Sequence, residues 1–268
     1  MTMDLLRREQ APLLDAAWKL VDDEAARVLR LHLAGRKVVD LEGPFGWDHA
    51  SVNTGRVELV SDTGATVRVG LRLTHPILEL HAPARMSLRE LEAVGRGAGD
   101  PDLDPIRLAA EHLARTEDHV IFNGHARAGT QGILGASPHP HLTVGSPADY
   151  PGVVVAALER LRQSGIAGPY ALVVGPRPYD EIFSARPDGY PVAKQLQNQI
   201  LDGPIVHASA IEGAAVISLR GGDYTLSVGH DLAVGFVQHT GDDVDLFVTE
   251  SFGFRVLEPA AAVVIDRK

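Results

Sequence analysis

The sequence predicts a mixed α+β chain, with helices first and strands later. Apolar residues recur at helical spacing over 14–35 and again over 104–124. From Ile205 onward they alternate or run in short blocks of β-type residues. No strand–helix–strand rhythm of a parallel sheet occurs, and no repeat at solenoid period.

Leu14, Trp18, Val21, Ala25, Val28 and Leu29 lay one apolar stripe on a helix over 14–35. Gly35 is a natural stop, and Arg30, His32, Arg36 and Lys37 suit the negative end of its dipole. The polar arm Met1–Pro12 has little to bury by itself, so it either frays or is held by a neighbouring chain. Arg56–Val60 and Thr66–Leu73 alternate around Asp62-Thr63-Gly64, which reads as a hairpin. Two strands alone bury too little to be stable, so this ribbon must lie on something else.

Asp104-Pro105 opens a second helix, with Ile106, Ala109, Ala110, Leu113, Val120 and Ile121 on its apolar side and Asn123-Gly124 at its end. Asp149 and Pro151 open a third, with Val154, Val155, Leu158 and Leu161 inward and Gly165 closing it. Tyr170–Val174 is a short buried strand, and prolines 176, 178, 187 and 191 then punctuate short helices and a loop. Ala214–Leu219, Tyr224–Val228 and Leu232–Val237 read as strands. Val244, Leu246, Val248, Phe252, Phe254 and Val256 alternate over one long strand. Glu250 falls on that apolar face; it is either partnered inside the sheet or marks an exposed stretch.

With 268 residues, the chain holds one or two domains at ~150 residues each. A net charge of −10 argues against a nucleic-acid partner, because phosphate binding needs clustered Lys and Arg. The absence of cysteine excludes disulfides, Cys-ligated metal and a thiol nucleophile. No window reaches the ~18 apolar residues of a membrane span, and the first residues lack a signal-type apolar core. A cytoplasmic protein with no membrane partner is expected.

The search for chemistry yields little. His139-Pro140-His141 places two imidazoles in a loop without a third ligand nearby, so no metal is predicted. Gly95-Arg96-Gly97-Ala98-Gly99 follows no predicted strand and lacks nucleotide-binding spacing. No GxSxG elbow is present, and nothing raises a Ser–His–Asp triad above chance. Asp22-Asp23-Glu24 reads as a solvated face of the first helix. Large surfaces in need of partners, without an active site, favour an assembly protein over an enzyme.

Blocks along the whole chain make a specific match. Ala11-Pro12-Leu13 with Trp18, then Gly35-Arg36-Lys37-Val38-Val39-Asp40 and Gly43-Pro44-Phe45-Gly46-Trp47, resemble the opening of the encapsulin shell proteins. Glu117-Asp118, Ile121-Phe122-Asn123-Gly124, Gly168-Pro169-Tyr170 and Gly189-Tyr190-Pro191 continue the resemblance in family order. Arg220-Gly221-Gly222-Asp223-Tyr224, the segment Gly229–Gly235 and Thr249-Glu250-Ser251-Phe252-Gly253-Phe254 complete it.

The resemblance implies an HK97-type phage-capsid fold, in which many copies close into a hollow icosahedral shell of about sixty subunits or a larger multiple. Such shells enclose cargo enzymes, ferritin-like iron-storage proteins or dye-decolourising peroxidases, through a C-terminal targeting peptide. By this likeness residues 1–42 are the N-terminal arm and helix, 43–80 the extension loop, and 81–132 the spine-helix part of the peripheral domain. Residues 133–218 are then the axial domain, and 219–268 the peripheral sheet.

Cargo peptides in the family dock between the first helix and that sheet. The matching positions are Leu29, Leu33, Arg36 and Asp40 on the helix side and Asp231, Leu232, Val234 and Phe236 on the sheet side. The competing reading makes Leu29 and Phe236 plain core and Arg36–Asp40 an internal salt bridge. Arg186, Pro187, Asp188, Gly189 and Tyr190 match the family's five-fold pore loop, or else form a turn packed away from the axis. Some relatives stack a flavin on a tryptophan near 87–92; Arg89 stands here, so no cofactor is predicted. Two other classes compete: a hydrolytic enzyme of protease or bacteriocin type, and a DNA-packaging phage capsid protein.

Overall fold

The computed structural model describes residues 5–62 and 68–268, the side chains of Ser61, Asp62 and Asp188 excepted. Helix α1 (Asp15–His32) buries Ala17, Trp18, Val21, Ala25, Val28 and Leu29. Leu14, expected in that stripe, stands 58% exposed just outside the first turn. The helix ends at His32, three residues before Gly35, which lies in a short 3-10 turn. From residue 5 onward the arm is held against its own chain. Leu6 O accepts from Phe236 N at 2.8 Å, and Arg8 pairs with Asp22 at 2.6 Å while lying over the Trp18 ring.

Chain order continues with β1 (Asp40–Glu42), β2 (Ser51–Asp62), β3 (Arg68–Pro76), β4 (Leu78–Ser87), α2 (Leu88–Gly95) and α3 (Asp104–Asn123). Beyond them lie β5 (Leu142–Val144), α4 (Tyr150–Gln163), β6 (Tyr170–Val174), α5 (Pro176–Ser184) and β7 (Ile205–His207). The chain closes with β8 (Ala214–Ser218), β9 (Tyr224–Val228), β10 (Ala233–Thr240), β11 (Asp243–Val256) and β12 (Ala262–Arg267).

Among the described residues these strands form two five-stranded sheets and a separate ribbon, beside a short pairing of Gly124–His125 with Thr130–Gln131. In the first sheet β11 is the axis. It pairs antiparallel with β9 and β10 and, from Asp243 to Phe252, with β4, while β1 lies parallel to β9. The second sheet runs β5-β12-β8-β6-β7. The closing strand β12 therefore sits beside β8, outside the sheet expected over 219–268. Its Ala262, Val263 and Ile265 fill the core under α4 together with Val216 and Leu172. Val155, expected inward on α4, is 49% exposed, whereas Ala157 takes the inward place.

Strand β4 was not foreseen, although Leu78, Leu80, Ala82, Ala84 and Met86 alternate. Pro83 interrupts its hydrogen-bonding potential, which is tolerated because β4 lies at the sheet's edge. The alternation expected in β11 merges into an almost continuous buried run, because the strand is covered on both faces. Val244, Leu246 and Val248 pack with α1 and α3, while Phe252 and Phe254 join the core of the second sheet.

The ribbon β2–β3 pairs Ser51 with Pro76 and Asp62 with Arg68. Its predicted turn at Thr63-Gly64 lies outside the described residues. Val57, Leu59, Val60, Val69 and Leu71 are all exposed along it, Leu59 at 68%.

Candidate functional site

Where α1 ends, the chain turns back against α3. Gly35 comes so close to α3 that a Cβ there would meet Ile121 Cδ1 at 2.5 Å. The close approach aims the N–H groups of Ala34 and Gly35 at Asp118, whose carboxylate accepts from them at 2.7–3.1 Å. Arg36, next in sequence, is thereby swung between α3 and β11. Its Nε donates to Glu117 at 2.9 and 3.0 Å, Nη2 to Glu250 at 2.7 Å and Nη1 to Asp231 at 2.9 Å. Burial works against the Arg36 charge, but the hydrogen bond to Glu117 and the Glu117 and Glu250 charges outweigh it and hold its proton firmly.

A groove opens beside this junction, between α1 and β10. It encloses about 560 Å³ and is lined by Ala25, Leu29 and Leu33 from the helix side and by Leu232, Val234 and Val248 from the sheet. Arg8, Arg30, Arg36, Lys37 and Asp22 surround the apolar floor. Five of the eight residues matched to cargo docking, Leu29, Leu33, Arg36, Leu232 and Val234, line this one groove. Asp231 stands half-exposed beside it, bound to Arg36. Phe236 is buried in the same core as Leu29, Leu33 and Val234, and borders a separate 320 Å³ pocket with Leu5, Arg7, Trp47 and Phe247. Asp40 also lies apart, accepting from Gly222 N at 2.5 Å. The alternative Arg36–Asp40 salt bridge is therefore replaced by the bonds of Arg36 to Glu117, Glu250 and Asp231. Glu250 is partnered and 0% exposed, but its partner Arg36 comes from the exit turn of α1 and not from the sheet.

Sequence reasoning did not connect Glu117 or Asp118 to this site. A signal existed: adjacent acids between the apolar residues of an otherwise buried helical stretch need partners. The arm's contribution, Arg8 at the groove mouth, left no pattern because it depends on the pairing with Asp22.

The loop after α5 forms a 3-10 turn over Pro187–Gly189, with Gly189 at φ 82°. Val192 N donates to Ala185 O at 3.1 Å and closes its base. Arg186, Gly189 and Tyr190 are exposed, Pro187 is half-buried, and the Asp188 side chain lies outside the described residues. Among the described residues Arg186 makes no ion pair. The two loop imidazoles have protein partners instead of a shared ligand. His139 meets Ala260 O and His141 meets Asp266, both at 2.9 Å. Among the described residues no helix is long and apolar enough to cross a membrane.

Comparison with known proteins places this arrangement. The profile of a family described as "Encapsulating protein for peroxidase" matches residues 3–253. A type 1 encapsulin shell protein of Rhodospirillum rubrum is 42% identical, over 97% of this chain and 96% of its own. One from Mycobacterium tuberculosis is 38% identical, over 98% and 100% respectively. Among solved structures, the virus-like particle of Pyrococcus furiosus superposes with a TM-score of 0.64 at 20% identity, covering 93% of this chain and 99% of that one. Gordonia phage Cozz gives 0.58 at 15% identity, with 88% and 87% covered. The fold is thus that of the HK97-type phage capsids.

Proposed function

The chain belongs to the type 1 encapsulin shell proteins, and from that premise we propose that it tiles a closed icosahedral compartment holding cargo enzymes. The observation that carries the reading is the ribbon β2–β3. Among the described residues it pairs with no other strand, and it presents five large apolar side chains to solvent. At ~1.5–3 kcal/mol per fully buried Val or Leu, covering it stabilises contacts between neighbouring copies substantially. Residues 43–80 then act as the extension loop, 133–218 as the axial domain, and the first sheet with α3 as the peripheral domain. Closure by rotation of one heterologous contact seals such a shell without a second chain type.

The groove between α1 and β10 suits an extended cargo peptide. Its pockets take alternate apolar side chains. Leu29, Leu33, Leu232 and Val234 form the apolar contacts, and Asp231 and the basic rim orient polar groups. Arg36 acts as a brace to Glu117 and Glu250, with its Nη1 directed to Asp231. Phe236 and Asp40 support the wall from outside the groove. The cargo is a ferritin-like iron-storage protein or a peroxidase, and the shell's own role is containment rather than catalysis. The exposed loop from Arg186 to Tyr190 lines a pore for small ions, its charge ring setting the local potential. The compartment resides in the bacterial cytoplasm.

Leu33→Asp tests docking. Co-expressed with a tagged ferritin-like cargo bearing a C-terminal targeting peptide, the variant should assemble and emerge empty. Full loading of intact Leu33→Asp shells would refute the groove as the docking site.

A further inference from the structure

Behind the groove, where the exit turn of α1 meets α3 and β11, carboxyl groups outnumber the cations that touch them. Glu117 and Asp118 from α3 and Glu250 from β11 are each 0% exposed. Asp231, just before β10, adds a half-exposed fourth. Facing them are Arg36, which touches Glu117, Glu250 and Asp231, and Lys37, which acts on Asp118 from a distance. One guanidinium thus serves two wholly buried glutamates. Glu250 Oε1, also buried, has no hydrogen-bond donor in reach. Two bare carboxylates sharing a dry site repel each other, and an unmatched buried charge is costly. A single proton removes one charge and turns an acceptor–acceptor contact into a hydrogen bond.

We propose that Glu117 and Glu250 share one proton, and that the neutral–anionic pair is a positioning device holding Arg36 and Asp231 at the wall of the groove. Losing the proton loosens this brace, and the groove with it. The second step rests on the docking reading above, whereas the first is a property of the fold alone. Burial, then the charge and hydrogen bond of Glu117, push the Glu250 carboxyl well above its usual range, with Arg36 pulling the other way. A raised folded value means that the folded chain keeps a proton that the unfolded chain has released. Stability from this pair is therefore complete below the unfolded value of about 4.5 and falls as pH rises from there to the folded value, by up to about tenfold in the folding equilibrium per pH unit.

The test is infrared spectroscopy of purified shells at neutral pH, read at the carbonyl stretch of a neutral carboxylic acid. Asp118→Asn, which removes the other raised carboxyl, should show this band, and Glu250→Gln or Glu117→Gln added to it should each abolish it. In either Gln variant the amide supplies the missing N–H, and the remaining glutamate is matched by Arg36. Absence of the band in Asp118→Asn, or its survival when Glu250→Gln is added, overturns the shared proton. Should the Gln variants fail to fold, titrating Asp118→Asn decides. Its melting temperature must fall with rising pH up to the pH at which the band fades and level off beyond it, and a melting temperature flat below that pH contradicts the brace. Cargo loading at mildly acidic and alkaline pH reads the second step. A present band with pH-independent loading refutes the link to the groove but not the shared proton; an absent band refutes the shared proton whatever the loading.

Discussion

Gly35 N–H donates to Asp118 Oδ1 at 2.7 Å, across 83 residues of sequence, where α1's exit turn packs on α3. The contact exists because position 35 has no side chain: a Cβ would stand 2.5 Å from Ile121 Cδ1 and 3.1 Å from that same carboxylate oxygen. Gly35→Ala should therefore push the turn off α3 and destabilise the chain by about 1–3 kcal/mol. Thermal unfolding of the variant measures this, and an unchanged melting temperature would refute the packing.

Asp118 gives a pH dependence of defined sign. Burial raises its carboxyl from 3.8 to about 7, against the opposing pull of the Gly35 and Ala34 N–H donors. Between those values the folded chain holds a proton that the unfolded chain has lost, so this group's contribution declines as pH climbs from 4 to 7. Asp118→Asn removes the titration and mismatches at least one donor, costing about 1–3 kcal/mol. The gap in melting temperature between wild type and Asp118→Asn should narrow from pH 5 to 7; a constant gap would contradict a group titrating there.

Much of α1, α3 and α4 is legible from apolar spacing, because each buries one continuous stripe. The groove is legible only in halves. Leu29 and Leu33 sit on the first helix and its exit, and Leu232 and Val234 about two hundred residues later, and no local pattern joins them. Glu250 announced itself by interrupting an apolar alternation, yet its partner Arg36 lies 214 residues away and is fixed only by the turn at Gly35. Strand β4 stayed hidden behind Pro83, and β12 is too short to tell from a terminal apolar run. In each case the deciding contact is long-range, which period and propensity do not encode.

The ribbon predicts an assembly defect without a folding defect. Leu59 is 68% exposed and touches no core, so Leu59→Asp should leave the protomer's circular dichroism intact. Sedimentation should then show small species in place of particles. Normal particles from Leu59→Asp would mean that this face is not covered in the shell.

The loop predicts a transport effect. Arg186 is exposed and without an ion pair among the described residues, so Arg186→Glu inverts its charge at little cost to the fold. Iron uptake by shells loaded with a ferritin-like cargo should accelerate severalfold, since a cation then meets an attractive ring. An identical uptake rate would place the loop away from the pore.

Electron microscopy of the recombinant protein expressed alone bears most directly on the whole reading. A 28.7 kDa chain that tiles a container should yield closed, hollow particles of uniform diameter. A folded monomer or small oligomer, with no curved or closed assemblies at any concentration, would contradict it.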